Sequence, residues 1–262
     1  MNLKAQGKLD EAEPILRSVI EATRRVFGRE HPRIGDSLNN FGEVLVDRGK
    51  VGDAIAAFGE AVEIHRKLLG PEHPTTQIAT NNLGSALVFA KEYGQAEQLL
   101  RETLAIKEKV MPGDHISIAH TVNNLGFALY MQRRFDEAEL FFRRAIALRT
   151  EALPPTHAEL GNSLGNLGLL LYDTERYLEA EDAFRHELEI RERQMPKSTT
   201  HTALALNNLG ATQYLRGKLQ DAAQTFEQAV NYCRHEFSDE HQMTKDAVEK
   251  LAVVRARISS PK

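Results

Sequence analysis

Apolar and polar residues alternate with a helical period along nearly the whole chain. Between residues 33 and 48, the apolar residues Leu38, Phe41 and Leu45 fall on one face of a predicted helix, because successive members are three or four positions apart. A second stripe, between residues 53 and 69, consists of Ala54, Phe58, Ala61, Ile64 and Leu68. A short polar turn, Gly49-Lys50, separates the two, and no stretch shows the strict alternation of a β-strand. The pattern therefore predicts an all-α chain built from helix pairs.

This helix pair recurs with a period of 42 residues. The first helix of each pair contains a glycine, and these reference glycines are Gly42, Gly84, Gly126, Gly168 and Gly210. An alanine follows each glycine by twelve positions, at Ala54, Ala96, Ala138, Ala180 and Ala222, and four positions later comes Phe58, Leu100, Phe142, Phe184 or Phe226. The register predicts a single array that comprises a partial unit (1–30), five full units (31–72, 73–114, 115–156, 157–198 and 199–240) and a C-terminal capping helix (241–262).

The recurring small residues have a packing explanation. Glycine inside a helix costs about 0.5–1 kcal/mol relative to alanine, so a close approach of the two helices must offset that cost in every unit. The Phe or Leu one turn beyond the alanine is predicted to fill the space beside the glycine. Because each helix pair exposes apolar surface on both sides, it is stable only when stacked on its neighbours, which predicts a solenoid of antiparallel helix pairs.

These motifs resemble a known family. The Leu-Gly pair of the first helix, the Ala and Phe of the second, the Asn81-Asn82-Leu83-Gly84 core and the turn Gly70-Pro-Glu-His-Pro74 are similar to tetratricopeptide repeats of the kinesin-light-chain type. The resemblance implies a right-handed superhelical solenoid in which the first helices line a concave groove. Similar arrays also occur inside large bacterial signalling proteins, so the resemblance does not imply motor transport. The chain departs from the pattern at Gly165, which replaces the first Asn, and at Glu187, which replaces a small residue.

Given such a groove, helix geometry assigns to it the positions three before, and one, four and five after, each reference glycine. The first of these columns contains Asn39, Asn81, Asn123 and Asn207. The other columns contribute Phe89, Phe127, Tyr130, Met131, Leu169, Tyr172, Tyr214 and Leu215. An amide side chain both donates and accepts hydrogen bonds and can pair with the backbone of an extended peptide, while the aromatic residues are typical anchors. We therefore predict a peptide partner that bears apolar or aromatic side chains.

A structural role is the alternative for each of these columns. The second Asn of each motif, at Asn40, Asn82, Asn124, Asn166 and Asn208, could bond a neighbouring helix instead of a ligand. The aromatic residues could pack between adjacent first helices. Groove columns that clamp a carboxylate would carry basic residues, whereas the residues six before each glycine are Asp36, Ile78, His120, Asn162 and Leu204. An acidic peptide tail is therefore disfavoured.

Composition excludes several other classes of function. The net charge is −4, and Lys and Arg alternate with Glu, which disfavours nucleic acid as a partner. The single cysteine fits a reducing compartment. The N-terminal residues do not resemble a signal peptide, and no apolar run is long enough to cross a bilayer. These features predict a cytoplasmic protein without a membrane partner.

Two columns of residues could suggest chemistry. Histidines recur at His31, His73, His115, His157 and His241, but stacked repeats lie on the order of 10 Å apart, so one column cannot converge on a metal ion. Helix capping, or packing in the turn between units, is the preferred interpretation. Cys233 aligns with His65, Lys107, Arg149 and Arg191, a column predicted to be exposed, and is interpreted as a bystander thiol. No phosphate loop, nucleophile motif or metal motif is present, so neither catalysis nor a cofactor is predicted.

The sequence thus favours a non-catalytic protein-interaction scaffold that binds an extended peptide segment. The alternative is a regulatory or sensor array of a larger signalling effector, such as a kinase, a protease or a nucleotide-dependent switch. The helix predicted from Asp10 to Phe27 carries a stripe of Ala12, Leu16, Val19 and Ile20. Residues Met1 to Gln6 supply only the tail of a preceding helix. We therefore expect self-association, or another partner, at the N-terminal end.

Overall fold

A computed structural model describes residues 9–111, 113–193 and 199–260, and within these residues the chain forms twelve α-helices and no strand. The chain divides into two compact units, Met1–Ala138 and Glu139–Lys262, called the first unit and the second unit. A 42-residue helix pair is called a repeat. The first unit contains α1 (Leu9–Phe27), α2 (Pro32–Asp47), α3 (Val51–Leu69), α4 (Pro74–Phe89), α5 (Tyr93–Val110), α6 (His115–Met131) and the start of α7 (Phe135–Ala152). The second contains the rest of α7, α8 (Ala158–Asp173), α9 (Tyr177–Arg193), α10 (Thr199–Leu215), α11 (Leu219–Glu236) and α12 (Gln242–Ser259).

The all-α fold of paired helices predicted from the 42-residue register is confirmed. Helices α2 and α3 begin and end within two residues of the predicted ranges 33–48 and 53–69. The tail predicted for Met1 to Gln6 lies outside the described residues. None of the helices among the described residues has the length and apolar character that a bilayer crossing requires.

The histidine column caps helices. His31, His73, His157 and His241 each precede a first helix, and the ring Nδ1 accepts a hydrogen bond from the backbone N–H two residues later, at 3.2–3.3 Å. His115 differs, because Asp114 takes the capping position and accepts from the backbone N–H of Ser117 at 3.0 Å. The capping interpretation is therefore confirmed at four of the five positions. Throughout the described part of the chain, no three metal-ligating side chains are grouped closely enough to hold an ion.

The reference glycines allow the two helices of a pair to approach closely. A Cβ atom added to Gly42 would lie 2.6 Å from the ring of Phe58, and one added to Gly168 would lie 2.6 Å from the ring of Phe184. At Gly84 the neighbour is Leu100, also at 2.6 Å. These distances are too short for any side chain at the glycine, so the glycine of the first helix and the large residue of the second form one packing unit.

The turn inside each pair adopts a left-handed backbone conformation at one fixed position. Gly49 and Gly217 have φ angles of 73° and 75° there. The equivalent turns use Lys91, Arg133 and Glu175, with φ between 60° and 66°. A left-handed conformation costs a non-glycine residue about 1–2 kcal/mol, so the packing of the flanking helices imposes this turn where the local sequence does not favour it.

Ion pairs join successive helix pairs. Glu13 accepts hydrogen bonds from Lys50 at 2.9 and 3.0 Å, and this contact lowers the pKa of the Glu13 carboxyl group. In the same register, further along the chain, Glu97 contacts Arg134 at 2.7 Å, Glu139 contacts Arg176 at 2.5 Å and Glu181 contacts Lys218 at 3.0 Å. The carboxylate therefore lies at the start of a second helix, and the cation comes from the next repeat.

The column that contains Cys233 is buried, so the prediction that it is exposed was wrong. Relative exposure ranges from 0% for His65 and Cys233 to 4% for Arg149. Burial raises the pKa of the Cys233 thiol, which disfavours its reactive thiolate form. The cations of this column hold together successive elements. Lys107 Nζ donates to Thr121 Oγ1 at 2.9 Å and to the Ser117 carbonyl at 3.1 Å, which connects α5 to α6.

The direction in which these long side chains point depends on the residue seven before the reference glycine. Where that residue is glycine, the side chain lies against its own first helix: a Cβ on Gly35 would be 2.6 Å from His65 Nε2, and one on Gly161 would be 3.2 Å from Arg191 Cζ. In the repeat that contains Lys107 this position is Gln77, and Lys107 bonds to the following helix instead. A glycine at this position thus accompanies a buried side chain that lies against its own first helix.

The two departures from the repeat pattern compensate each other. Glu187 Oε2 would lie 2.7 Å from a Cβ at Gly165, so an asparagine there would collide with the carboxylate. Glu187 is paired with buried Arg191 at 3.0 Å, and burial raises the pKa of the Glu187 carboxyl group. Arg191 also donates to Asn162 Oδ1 at 2.7 Å. Gly165 and Glu187 therefore depend on each other, because the missing side chain at residue 165 leaves room for the carboxylate of Glu187.

Candidate peptide-binding surface

The first helices of the pairs expose one continuous face within each unit. An α-helix turns about 100° per residue, so the positions six and two before the reference glycine, and one and five after it, share the face turned away from the paired second helix. Large apolar side chains are exposed on this face. They are Ile78, Phe89 and Met131 in the first unit and Leu204 and Leu215 in the second. Exposed apolar residues in this arrangement are typical of a binding surface.

The asparagines three before the glycine lie at the edge of this face or beneath it. Asn81 and Asn207 are buried, at 7% and 6% exposure, and Asn207 Nδ2 donates to the Ala203 carbonyl at 3.1 Å. Asn39 and Asn123 are half-buried. The position lies only about 60° from the glycine, on the side that packs against the second helix. Peptide contact by Asn39, Asn81, Asn123 and Asn207 stays a prediction, and the burial of two of them leaves little of their side chains for a ligand.

The second asparagine of each motif lies nearer the open side. Asn40 is exposed, and Asn82, Asn124, Asn166 and Asn208 are half-buried. Asn82 Nδ2 donates to Asn39 Oδ1 at 3.0 Å, so this amide links the first helices of two successive pairs. The sequence interpretation left open whether the second asparagine bonds a neighbouring helix or a ligand, and at Asn82 the structure shows the bond to a neighbouring helix. The angle of about 160° between the second asparagine and the glycine explains why this column lies nearer the open side.

Two predicted aromatic residues of the first unit belong to a ring cluster, whereas a third is exposed. The rings of Phe127 and Tyr130 are 5.9 Å apart, and Tyr130 is also 5.9 Å from Phe135 at the start of α7. All three are half-buried, whereas Phe89 is 61% exposed. Tyr130 therefore packs against Phe127 of its own helix and against Phe135 of the paired second helix, and Phe89 exposes its ring at the surface.

The second unit contains a cavity of about 440 Å³ on the predicted groove face. Three predicted groove residues, Tyr172, Tyr214 and Leu215, line it together with Phe226 of α11 and Val253 of α12. Its volume falls in the range of small-molecule and side-chain pockets, which is about 300–1,000 Å³. Burial raises the pKa of the Tyr172 hydroxyl group, which therefore remains a neutral hydrogen-bond donor. The structure thus brings predicted groove residues from α8 and α10 around one apolar space.

Helix α12 adds charged side chains to this cavity. Asp246, Glu249 and Lys250 lie along its wall. A neighbouring cavity of about 530 Å³ shares Tyr214 and Leu215 with the first and is lined further along α12 by Arg257 and Ile258. The sequence interpretation treated α12 only as a polar cap, so the contribution of this helix to the surface was missed.

Comparisons with known proteins agree with this architecture. Family models described as tetratricopeptide repeat match residues 1–64, 35–109, 114–193 and 202–242. No curated protein matches the sequence of this chain.

Solved structures share the fold at low sequence identity. A single-residue variant of a Podosopora anserina protein with nearly identical tetratricopeptide-like repeats, named after kinesin light chain, has a TM-score of 0.65 and 21% identity over 79% of this chain and 98% of its own. BtubC from P. vanneervenii has a TM-score of 0.66 and 16% identity over 97% of this chain and 93% of its own. The apo form of RapI has a TM-score of 0.60 and 14% identity over 98% of this chain and 72% of its own. At these identities the likeness concerns the fold alone.

Proposed function

Because this chain belongs to the tetratricopeptide repeat family, we propose that it is a non-catalytic scaffold that binds an extended peptide segment of a partner protein on the exposed face of its first helices. The observation that carries this proposal is the cavity of about 440 Å³ formed by Tyr172, Tyr214, Leu215, Phe226 and Val253. Apolar cavities with a few polar groups at the edge are the usual form of binding sites. An aromatic or branched apolar side chain of the peptide is the group that such a cavity accepts.

The second unit supports this function more strongly than the first. In the first unit, Tyr130 packs between Phe127 and Phe135, and the asparagine at Asn81 is buried. In the second unit, Tyr214 and Leu215 line two adjoining cavities. We therefore place the principal anchor at the second unit, and Phe89 and Met131 stay predicted contacts of the first unit by itself.

The experiment is selection from a phage-displayed library of random twelve-residue peptides on the purified chain. We expect enrichment of peptides that contain an aromatic or large aliphatic residue. Leu215→Glu should lower the affinity of the enriched peptides at least tenfold, because it places a charge in the apolar cavity. Leu215 is 45% exposed, so the variant should fold.

The matched control is Leu178→Glu, since Leu178 is 59% exposed in the same unit and lines neither cavity. This variant should bind like the unchanged chain. Failure to enrich any peptide, or equal loss of affinity in both variants, would contradict the proposed function.

Self-association at α1 is a second property that we propose, because part of that helix is exposed and apolar. Ile15 and Val19 are 51% and 42% exposed, whereas Ala12 and Ile20 of the predicted stripe are buried. The exposed stripe is therefore rotated from the predicted one by about one residue.

Val19→Glu should reduce any concentration-dependent increase in mass measured by light scattering, because it charges the exposed stripe. Ile20→Glu should instead lower the melting temperature, since it buries a charge. An unchanged mass for Val19→Glu, in a sample that self-associates, would exclude this face.

A further inference from the structure

The two adjoining cavities of the second unit differ in charge. One end of the 440 Å³ cavity carries Asp246 and Glu249 with a single ammonium group, Lys250, whereas the 530 Å³ cavity on the other side of Tyr214 and Leu215 carries Arg257. All four charged residues belong to α12, whose backbone fixes their order. The apolar centre, at Val253 and Leu215, lies between the acidic and the basic end.

The spacing of these groups follows from helix geometry. At a rise of 1.5 Å per residue, Asp246 precedes Val253 by about 10.5 Å, and Arg257 follows Val253 by about 6 Å along α12. An extended peptide advances about 3.3 Å per residue. A ligand that follows α12 therefore meets the acidic end about three residues to one side of its anchor, and the basic end about two residues to the other side.

Resting on the proposed peptide-binding function, we propose that the second unit recognises a peptide of defined charge order: a basic residue, two intervening residues, a bulky apolar anchor, one intervening residue and an acidic residue. The anchor enters the cavity between Tyr214 and Val253. The basic side chain contacts Asp246 and Glu249, and the acidic side chain contacts Arg257. Like-charge placement disfavours the opposite order, so charge supplies selectivity where the apolar cavity alone supplies affinity.

The side chains present agree with this assignment. Val253 is 52% exposed and Leu215 is 45% exposed, so both offer apolar surface to an incoming group. Asp246 Oδ1 accepts a hydrogen bond from Gln242 Nε2 at 2.6 Å, so a neighbour one turn earlier on α12 positions its carboxylate. Lys250 lies one turn beyond Asp246 and offsets part of the negative charge. Asp246, Glu249 and Lys250 together therefore give the acidic end of this cavity a net charge of −1.

The test uses fluorescence anisotropy with labelled synthetic peptides and the full chain. The probe peptide has the core Lys-Ala-Ala-Phe-Ala-Glu, and a second probe has the same residues in reverse, because the chain direction of the ligand is not fixed by charge. The comparison peptide, Glu-Ala-Ala-Phe-Ala-Glu, keeps the length and the anchor but presents an acidic residue to the acidic end in either chain direction. We expect one of the two probes to bind at least about fivefold more tightly than the comparison peptide at low salt, and the difference to shrink at high salt.

A reciprocal variant provides the decisive control. Asp246→Lys combined with Arg257→Glu exchanges the charges of the surface without changing the apolar cavity, and it should reverse the preference between probe and comparison peptide. Equal affinity of all three peptides for the unchanged chain, or an unchanged preference in the double variant, would overturn the charge order. Peptides enriched from the random library would still bind in that case, so the proposed function would stand.

Discussion

Gly42→Ala is expected to destabilise the chain, whereas Gly59→Ala is expected to stabilise it, although both replace an interior helical glycine in the same helix pair. A Cβ atom at Gly42 would lie 2.6 Å from the ring of Phe58, while one at Gly59 would meet nothing within 4 Å. Overpacking costs roughly 1–3 kcal/mol, which exceeds the helix-propensity gain of about 0.5–1 kcal/mol for alanine. At Gly59 only the gain remains.

The measurement is chemical unfolding of both variants beside the unchanged chain. We expect the free energies of unfolding of the two variants to differ by roughly 1–3 kcal/mol, which is the cost of overpacking, with opposite signs relative to the unchanged chain. Gly59 follows Phe58 directly, so the pair compares a glycine that contacts the Phe58 ring with a neighbouring glycine that lies outside this contact. A stabilised Gly42→Ala variant would show that α2 and α3 can separate at no cost, and the packing role of the reference glycines would be wrong.

The features that the sequence predicted correctly are local and periodic. The reference glycine recurs in every repeat, as at Gly42 beside Phe58, and the histidine cap recurs in nearly every repeat. One physical explanation therefore applies to several independent positions. The boundaries of α2 and α3 followed for the same reason, because the turns at Gly49 and Gly70 interrupt the apolar stripes.

The features that it missed depend on small angular differences around a helix. Asn81 and Asn82 are neighbours in the sequence, yet they have different environments. Asn81 is buried, whereas Asn82 donates a hydrogen bond to Asn39 of the preceding repeat. The position of Asn81 is only about 60° from the glycine, close to the edge between the open and the packed side of the helix, so its burial did not follow from the helical wheel.

The buried column was missed because composition argues against it. A residue position occupied by His65, Lys107, Arg149 and Arg191 is typical of a solvated face, since charged side chains are seldom fully buried without partners. The partners of Lys107 and Arg149 are backbone carbonyls and hydroxyl groups of the following helix, such as the Ser117 carbonyl and Thr121 hydroxyl that Lys107 contacts. Only the three-dimensional arrangement brings these groups together, and nothing in the repeat register indicates them.

Lys107 gives the second large prediction, a dependence of stability on alkaline pH. Burial lowers the pKa of its ammonium group from 10.5 to about 8, and Asp114 opposes this shift. The unfolded chain therefore keeps its proton between about pH 8 and 10.5 while the folded chain releases it. Since the unfolded state then binds more protons, the Lys107 contribution to the free energy of unfolding rises with pH across this window.

Each unit of pKa shift corresponds to about 1.4 kcal/mol, so the gain from Lys107 approaches roughly 3 kcal/mol between pH 7.5 and 10.5. Other groups titrate in the same range, and the Lys107→Met variant removes only this one. We expect the unchanged chain to gain about 3 kcal/mol relative to Lys107→Met over this interval, measured by urea unfolding at several pH values.

Lys109→Met is the matched control, because Lys109 belongs to the same helix, is exposed and pairs with Glu72 at 2.8 Å. That hydrogen bond raises the pKa of Lys109, so any contribution is lost, not gained, as pH rises through the folded pKa. The two lysines therefore predict slopes of opposite sign from positions two residues apart. A flat difference between the unchanged chain and Lys107→Met would mean that the ammonium group is as well solvated in the folded chain as in the unfolded one. The contacts with Ser117 and Thr121 would then compensate fully for its burial.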